Sequence, residues 1–360
     1  MGKTTRVVRF HQNGGPEVLK IEELLLLEPK GSEIRMRVHA IALSRIDVLW
    51  REGSYFEEPV WPAMIGYDAA GVVESVGPEV KTLTVGDRVS TFPAVSLLDY
   101  TAHGEAIIYP EDALLVYPRN LSSEQAAAAN SGLLAAYFAL AELAGVRPNR
   151  YVVITAASSS MGIAAIQVAK ALGAKTVAVT RSEMKRQHLI TAGADHVAIA
   201  GVDDVQEAVL EITGGRGPDV VYDGVGGPGL EELVWVTRRL RHVIVYGCLG
   251  AMEDMTPLPL GACFLRGLNL HISYKIFDFT GHSRLGIPPN LEAIQRAKRF
   301  VFDGLASNRF KPKIDRIFAG LEEYAAAHQY MSTNAQIGKI IVALSGENVG
   351  GRNCPDPSFG

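Results

Sequence analysis

Cysteine is nearly missing from this chain: Cys248, Cys263 and Cys354 are the only three in 360 residues. Their wide spacing offers neither a C-x-x-C pair nor a disulfide framework, which suits free thiols in a reducing compartment. A basic surplus is missing too. The formal net charge is −4, so no excess of cations exists to displace the counterions of a nucleic acid, and a general nucleic-acid binder is not expected. No uninterrupted apolar run reaches the roughly 18 residues of a membrane span. The N-terminal "MGKTTRVVRF" has no apolar signal core. These absences together predict a cytoplasmic protein with neither membrane nor nucleic acid as partner.

What is present fits a compact α/β protein: 48% hydrophobic residues, 21% charged and 36 glycines. The length exceeds what one core normally serves, so two domains are expected. From Thr5 to about Tyr117 short β-type runs such as "RVVRF", "EIRMRVHAIAL" and "AAGVVESVG" are broken by Gly and Pro, which predicts a largely antiparallel β domain. The period then changes. Ser122 or Ser123 can cap a long Ala/Leu helix with Glu124 in its first turn, placing a boundary near residue 122. Five strands follow at 151–155, 175–180, 196–199, 219–223 and 242–246, separated by helices at 160–172, 183–192, 204–213 and 229–240. That alternation predicts a doubly wound parallel sheet whose ligand lies beyond the strands' carboxyl ends. Beyond about residue 285 the elements do not extend the alternation and can rejoin the first domain. The tail from Ser345 is Gly/Pro/Asn-rich and is expected to be loosely held.

The run "VVITAASSSMGIAAIQVAKALGA" (152–174) enters a small-residue turn from a strand and leaves it as a helix. Free N–H groups and the positive end of a helix dipole attract a phosphate there. The usual G-x-G-x-x-G is absent; the run reads Ala156-x-x-Ser159-x-x-Gly162 and keeps only the last glycine, where it packs helix against strand. Ser158, Ser159, Ser160, Met161 and Gly162 are the candidate phosphate contacts. A positive φ at Ser159 would strain it. About 20 residues further on, NAD enzymes carry an acidic partner for the ribose hydroxyls. Here Thr180, Arg181, Ser182 and Lys185 offer hydroxyls and cations instead, which suits the 2′-phosphate of NADP(H).

Six stretches, in order, resemble the zinc-independent, quinone oxidoreductase-like branch of the medium-chain dehydrogenase/reductases: "FHQNGGPEVLKIEE" (10–23), "ALSRIDVLWREGSY" (42–55), "IGYDAAGVVESVG" (65–77), "AASSSMGIAAIQVAKALGA" (156–174), "GRGPDVVYDGVGG" (215–227) and "GLEEYAAAHQYMSTNAQIGKIIVAL" (320–344). The resemblance implies a GroES-like β-rich catalytic domain, residues 1–122 and 285–360, and a Rossmann NADP-binding domain, residues 123–284. Zinc-dependent members have Cys where Ser44 stands, His-Glu where Tyr67-Asp68 stands, and a four-Cys lobe. This chain has none of these, and its "SRID" and "GYD" supply no obvious set of three ligands, so no metal is expected.

Without a Lewis acid, acceptors whose negative charge delocalises need the least help. The resemblance therefore implies hydride transfer from NADPH to a quinone or α,β-unsaturated carbonyl, a small-molecule substrate. Tyr67 takes the place of a lost ligand and is read either as a hydrogen-bond donor to a carbonyl oxygen or as a packed aromatic. Ser44, where relatives have Asn, and Asp47 are further candidates, Asp47 equally as a structural carboxylate; Tyr55 lines the entrance or packs in its wall. Ala135 replaces a Thr that relatives place near the nicotinamide. Val225 and Gly247, after the fourth and fifth strands, stand where the family's backbone meets the nicotinamide half. Lys339 either reaches the pyrophosphate from the returning segment or is solvated. Two rivals stand beside this reading: a trans-acting enoyl-thioester reductase, and a cofactor-binding protein with little turnover. Relatives commonly pair their last Rossmann strand across a two-fold, and "LNLHISYKI" (268–276) alternates as a strand would, so a homodimer is expected.

Overall fold

The computed structural model describes residues 2–250 and 256–344; the tail from Ser345, with Cys354, lies outside the described residues. In chain order the first half runs β1 (Thr4–Phe10), β2 (Lys20–Leu25), β3 (Glu33–Leu43), α1 (Arg45–Glu52), β4 (Ala63–Met64), β5 (Asp68–Val76), β6 (Arg88–Thr91), β7 (Ala106–Pro110) and β8 (Leu114–Val116). The second part runs α2 (Ser123–Tyr137), β9 (Tyr151–Ile154), α3 (Ser160–Ala171), β10 (Lys175–Thr180), α4 (Arg186–Thr191), β11 (His196–Ile199), α5 (Val205–Ile212), β12 (Val220–Asp223), α6 (Pro228–Val236) and β13 (His242–Val245). It continues through α7 (Leu260–Arg266), β14 (Asn269–His271), α8 (Phe277–Thr280), α9 (Leu291–Ala306), β15 (Ile314–Ala319), α10 (Tyr324–Ser332) and β16 (Lys339–Ala343).

β3 organises the GroES-like part. Its first half alternates, with Ile34, Met36 and Val38 buried, while Ala40–Leu43 are buried at every position. The change follows from its neighbours: β5 and β7 flank the first half, and β16 pairs with residues 40–43. The sheet order is β15-β16-β3-β5-β6-β8, antiparallel except for β15 with β16, so the returning C-terminal segment contributes two strands. β1 with β2 and β4 forms a separate three-stranded sheet.

The Rossmann sheet is wholly parallel, in the order β11-β10-β9-β12-β13-β14. Its direction of winding reverses between β9 and β12, opening a crevice at their carboxyl ends. The sheet holds one strand more than the alternation predicts. That sixth strand also corrects the reading of 268–276, because β14 covers only Asn269–His271. Ser273 turns the chain at φ +61, and Tyr274 and Ile276 lie beyond the strand, buried, instead of sharing one strand face with Leu268 and Leu270.

Ser122 caps α2, accepting the Gln125 amide, and a π-helical turn, Phe138–Leu143, extends the helix. Ser123–Leu143 is long and apolar enough to cross a bilayer, yet 78% of its most apolar window is buried within the protein. It is the core helix against which both units pack.

Gly162 lets α3 start close to the end of β9. A Cβ there would stand 2.6 Å from the Ala156 carbonyl oxygen and from Ala157. Backbone on both sides cannot retreat as a side-chain tip could. Gly162→Ala is therefore expected to destabilise the fold by about 2–3 kcal/mol, the scale of an overpacked core. Denaturant unfolding of the two proteins measures this.

Candidate active site

The junction between the two units is built on Asp68, the first residue of β5. Lys339 Nζ donates to its Oδ2 at 2.7 Å, Ser44 Oγ donates to the same oxygen at 2.9 Å, and Ser131 on α2 donates to Oδ1. Lys339 also donates to the Leu43 carbonyl at 3.2 Å and to Ser44 Oγ, so its ammonium meets three acceptors while 2% exposed. This corrects the reading of Lys339 as solvated or reaching a pyrophosphate. A buried ammonium held by a carboxylate has no free donor to extend.

The same geometry gives Ser44 and Asp47 structural partners. Ser44 is the N-cap of α1; its backbone N–H donates to Asp47 Oδ2 at 2.7 Å, and its hydroxyl proton is committed to Asp68. Asp47 is fully buried as the returning half of that capping box, with Oδ1 unpartnered. Burial pushes its carboxyl up to about 7.

The two tyrosines remain. Tyr67 directly precedes Asp68 and is 1% exposed; its hydroxyl lies 3.3 Å from that of Tyr55. Burial holds both phenols above the ordinary tyrosine range, and each raises its hold on its proton further through Glu57. They are therefore neutral O–H donors at any physiological pH. Tyr55 packs on Phe56 with ring centroids 4.2 Å apart, and Tyr67 faces Phe277 at 6.0 Å, so the pair ends an aromatic wall.

At the crevice, Ser159 has φ −69 and ψ 163 and caps α3, accepting the Gly162 N–H at 3.0 Å. The expected strain sits instead at Ala156, with φ +45, where a side chain is disfavoured by about 1–2 kcal/mol. Ser160 and Met161 open the helix, and their N–H groups have no carbonyl four residues back to receive them. Ser158 offers its carbonyl, which accepts the Gly338 N–H at 3.1 Å. The loop 333–338 thus closes on the turn. The Lys185 ammonium lies 3.4 Å from the Gln336 carbonyl, and Arg45, which sequence reasoning passed over, donates to Asn334.

Thr180 ends β10 buried, Ser182 precedes a short 3-10 turn, and Arg181 is exposed between them. Burial and the Arg181 charge both weaken the hold of Lys185 on its proton. The nearest acid in sequence, Glu183, is engaged by Arg186 at 2.5 Å. Two cations whose intervening carboxylate is taken up by Arg186, 20-odd residues past a turn with free amides, fit a diphosphate and a further phosphate. Tyr246, just past β13, stacks on Tyr222 with ring centroids 4.1 Å apart and carries its buried Oη beside Ser159 of the phosphate turn. Val225 and Gly247 flank the same opening, and a Cβ at Gly247 would come within 2.9 Å of the Gly224 carbonyl oxygen. These residues fit a pyridine dinucleotide.

Other features were not legible in sequence. Tyr274 Oη donates to the Ala135 carbonyl at 2.8 Å. His103 is fully buried, 2.5 Å from Tyr324 Oη, and burial lowers it to about 3. Among the described residues no group of three His, Cys, Asp or Glu side chains could hold a metal ion.

Against known proteins, the alcohol dehydrogenase GroES-like domain family matches residues 30–143 and the zinc-binding dehydrogenase family residues 160–281. A quinone oxidoreductase of Salmonella typhimurium is 32% identical over 340 residues, 93% of this chain and 98% of its own. A 2-haloacrylate reductase of a Burkholderia species is 30% identical over 339 residues, 92% of this chain and 97% of its own. The crystal structure of Escherichia coli quinone oxidoreductase complexed with NADPH superposes with a TM-score of 0.81 at 28% identity, covering 94% of this chain and 99% of that one.

The Asp47 carboxyl gives the site a pH signature. Its folded value of about 7 lies above the ordinary 3.8, so the native state binds the proton more tightly than the unfolded chain. Its contribution is full below about pH 4 and is lost as pH rises through 7. Asp47→Asn, which keeps the cap acceptor, is expected to gain stability relative to the parent steadily between those limits. Urea unfolding at several pH values tests it; parallel curves would contradict it.

Proposed function

The chain belongs to the quinone oxidoreductase-like branch of the medium-chain dehydrogenase/reductase superfamily, and from that premise we propose that it uses NADPH to reduce a conjugated carbonyl, a quinone or an enone. The residues 123–284 would hold the cofactor, and residues 1–122 with 285–360 would supply the acceptor side. The Ser160 and Met161 amides would take the diphosphate, and Thr180, Arg181, Ser182 and Lys185 the 2′-phosphate. Val225 and Gly247 would border the nicotinamide half with backbone alone. When bound, the cofactor supplies hydride from C4 of its nicotinamide.

The observation that carries the acceptor class is the Tyr55–Tyr67 hydroxyl pair, 3.3 Å apart and buried at the end of an aromatic wall. Reduction of a conjugated carbonyl places negative charge on its oxygen. A neutral phenol held in apolar surroundings donates to that oxygen most strongly where the charge develops, and a second phenol beside it shares the load. The wall offers an apolar surface to a flat conjugated group. The Burkholderia relative is by its name a reductase of 2-haloacrylate, a conjugated acid, which favours the enone side of the same chemistry.

The protein is further proposed to pair with a second copy through the free edge of β14. Beside it, α7 leaves Leu260, Leu265 and Phe264 69%, 67% and 88% exposed. Solution mass by light scattering should be twice that of the 38.8 kDa chain; a monomer would remove the pairing.

NADPH oxidation is to be screened against quinones, enones, enoyl-CoA thioesters and aldehydes. Quinones or enones are expected to be turned over fastest. Preference for enoyl-CoA would transfer the reading to a thioester reductase, and tight NADPH binding without oxidation by any acceptor would leave a binding protein. Tyr67→Phe is expected to lower kcat by about a hundredfold with NADPH affinity unchanged. Arg181→Ala should weaken NADPH but not NADH, by about tenfold.

A further inference from the structure

Behind the two phenols lies a buried polar pair that the chemistry above leaves unused. Glu57 follows Tyr55 and Phe56 in the loop after α1, and Ser96 Oγ donates to its Oε1 at 2.6 Å. Its Oε2 lies 3.6 Å from Nε2 of His282, in the turn after α8; the two side chains are 7% and 0% exposed. Among the described residues neither of these facing atoms has a hydrogen-bond partner. The Leu285 N–H donates to His282 Nδ1 at 3.3 Å. Nδ1 is thus the acceptor, and the ring proton sits on Nε2, toward the carboxylate.

The pair joins the two halves of the molecule. Glu57 and Ser96 belong to the β-rich unit, whereas His282 arrives from the far end of the Rossmann unit. Aromatic rings ride on both members. His282 lies 5.6 Å from Phe56 and 4.7 Å from Phe277, and Phe277 in turn is 6.2 Å from Phe56 and 6.0 Å from Tyr67. Two other contacts cross nearby: Thr280 Oγ1 donates to the Pro93 carbonyl at 2.8 Å, and Arg284 pairs with Asp99 at 2.6 Å. The Arg284 pair is half-exposed and screened by solvent. Glu57 and His282 are not, so losing either leaves the other unmatched in apolar surroundings.

We propose that Glu57 and His282 are positioning residues for the acceptor, joining the Tyr55–Phe56 side of the wall to Phe277 and so setting the affinity for a flat conjugated ring. The proposal rests on the reading of this cleft as the place where a conjugated carbonyl is reduced. A bicyclic ring lying along the wall feels the spacing of its two halves. A four-carbon enone held through its oxygen by Tyr67 does not. The tie therefore separates acceptors by the extent of their planar surface and leaves Tyr67, placed by the Asp68–Lys339 pair, where it is.

Glu57→Gln and His282→Gln, singly and together, test this in the full chain with NADPH, using 1,4-naphthoquinone and but-3-en-2-one as acceptors. Each single variant is expected to raise the KM for naphthoquinone about tenfold, the double variant no further, with kcat within about twofold. The KM for butenone and the NADPH affinity read from cofactor fluorescence should stay at the parent values. Naphthoquinone quenching of tryptophan fluorescence in the cofactor-free protein should weaken by the same factor. An unchanged naphthoquinone KM, additive effects in the double variant, or equal losses with both acceptors would overturn the proposal, the last by revealing general loosening. If the parent protein oxidises NADPH with neither acceptor, the functional reading fails separately. The quenching titration then still decides the tie: tenfold weaker binding supports it, and unchanged binding overturns it.

Discussion

The rest of the site hangs on the buried ion pair between Asp68 and Lys339. It gathers four segments that are far apart in sequence: β5 through Asp68, the head of α1 through Ser44, the connecting helix α2 through Ser131, and the returning strand β16 through Lys339. A carboxylate and an ammonium this deep are tolerated only with their remaining capacity satisfied, and the two serines and the Leu43 carbonyl do so. Tyr67 is the residue immediately before Asp68, so the position of its ring follows from the pair. The capping box of Ser44 with Asp47 then fixes the direction of α1, which leads to Tyr55.

The phosphate turn shows how a fingerprint can lose two glycines and keep its shape. Three different physical demands are usually met by three glycines. Here only the close approach of helix to turn still requires one, at Gly162. The left-handed residue is Ala156, strained but small, and the middle position is a helix cap, where serine is among the best residues. The loop 333–338 lies over this turn through Gly338 and Lys185, so the proposed cofactor contacts and the contacts between the two units share the same few residues.

On the opposite side of the junction the wall of Tyr55, Phe56, Tyr67 and Phe277 is contributed by both units. Its phenols keep their protons because burial disfavours the phenolate, which makes them donors and not bases. In the proposed function, cations at one end of the cleft and neutral donors at the other would divide binding from chemistry. The same division runs through the sequence: the phosphate side comes from local turns, whereas the acceptor side comes from residues brought together across the molecule.

That difference explains what could be read in advance. The alternation of strands and helices from Tyr151 to Val245, the cap at Ser122 and the cation pair Arg181/Lys185 were legible because each depends on periodicity or on neighbours within a few residues. The length of β14, the partner of Lys339, the engaged hydroxyl of Ser44 and the seat of strain at Ala156 were not, since each is set by a segment tens or hundreds of residues away. Sequence alone determined the two-part α/β architecture and the turn that faces a dinucleotide, because hydrophobic period and helix capping act locally. Only the tertiary structure decided that Lys339 is buried against Asp68 and that Glu57 meets His282. Desolvation and ion pairing depend on which distant groups the folded chain brings within a few ångströms.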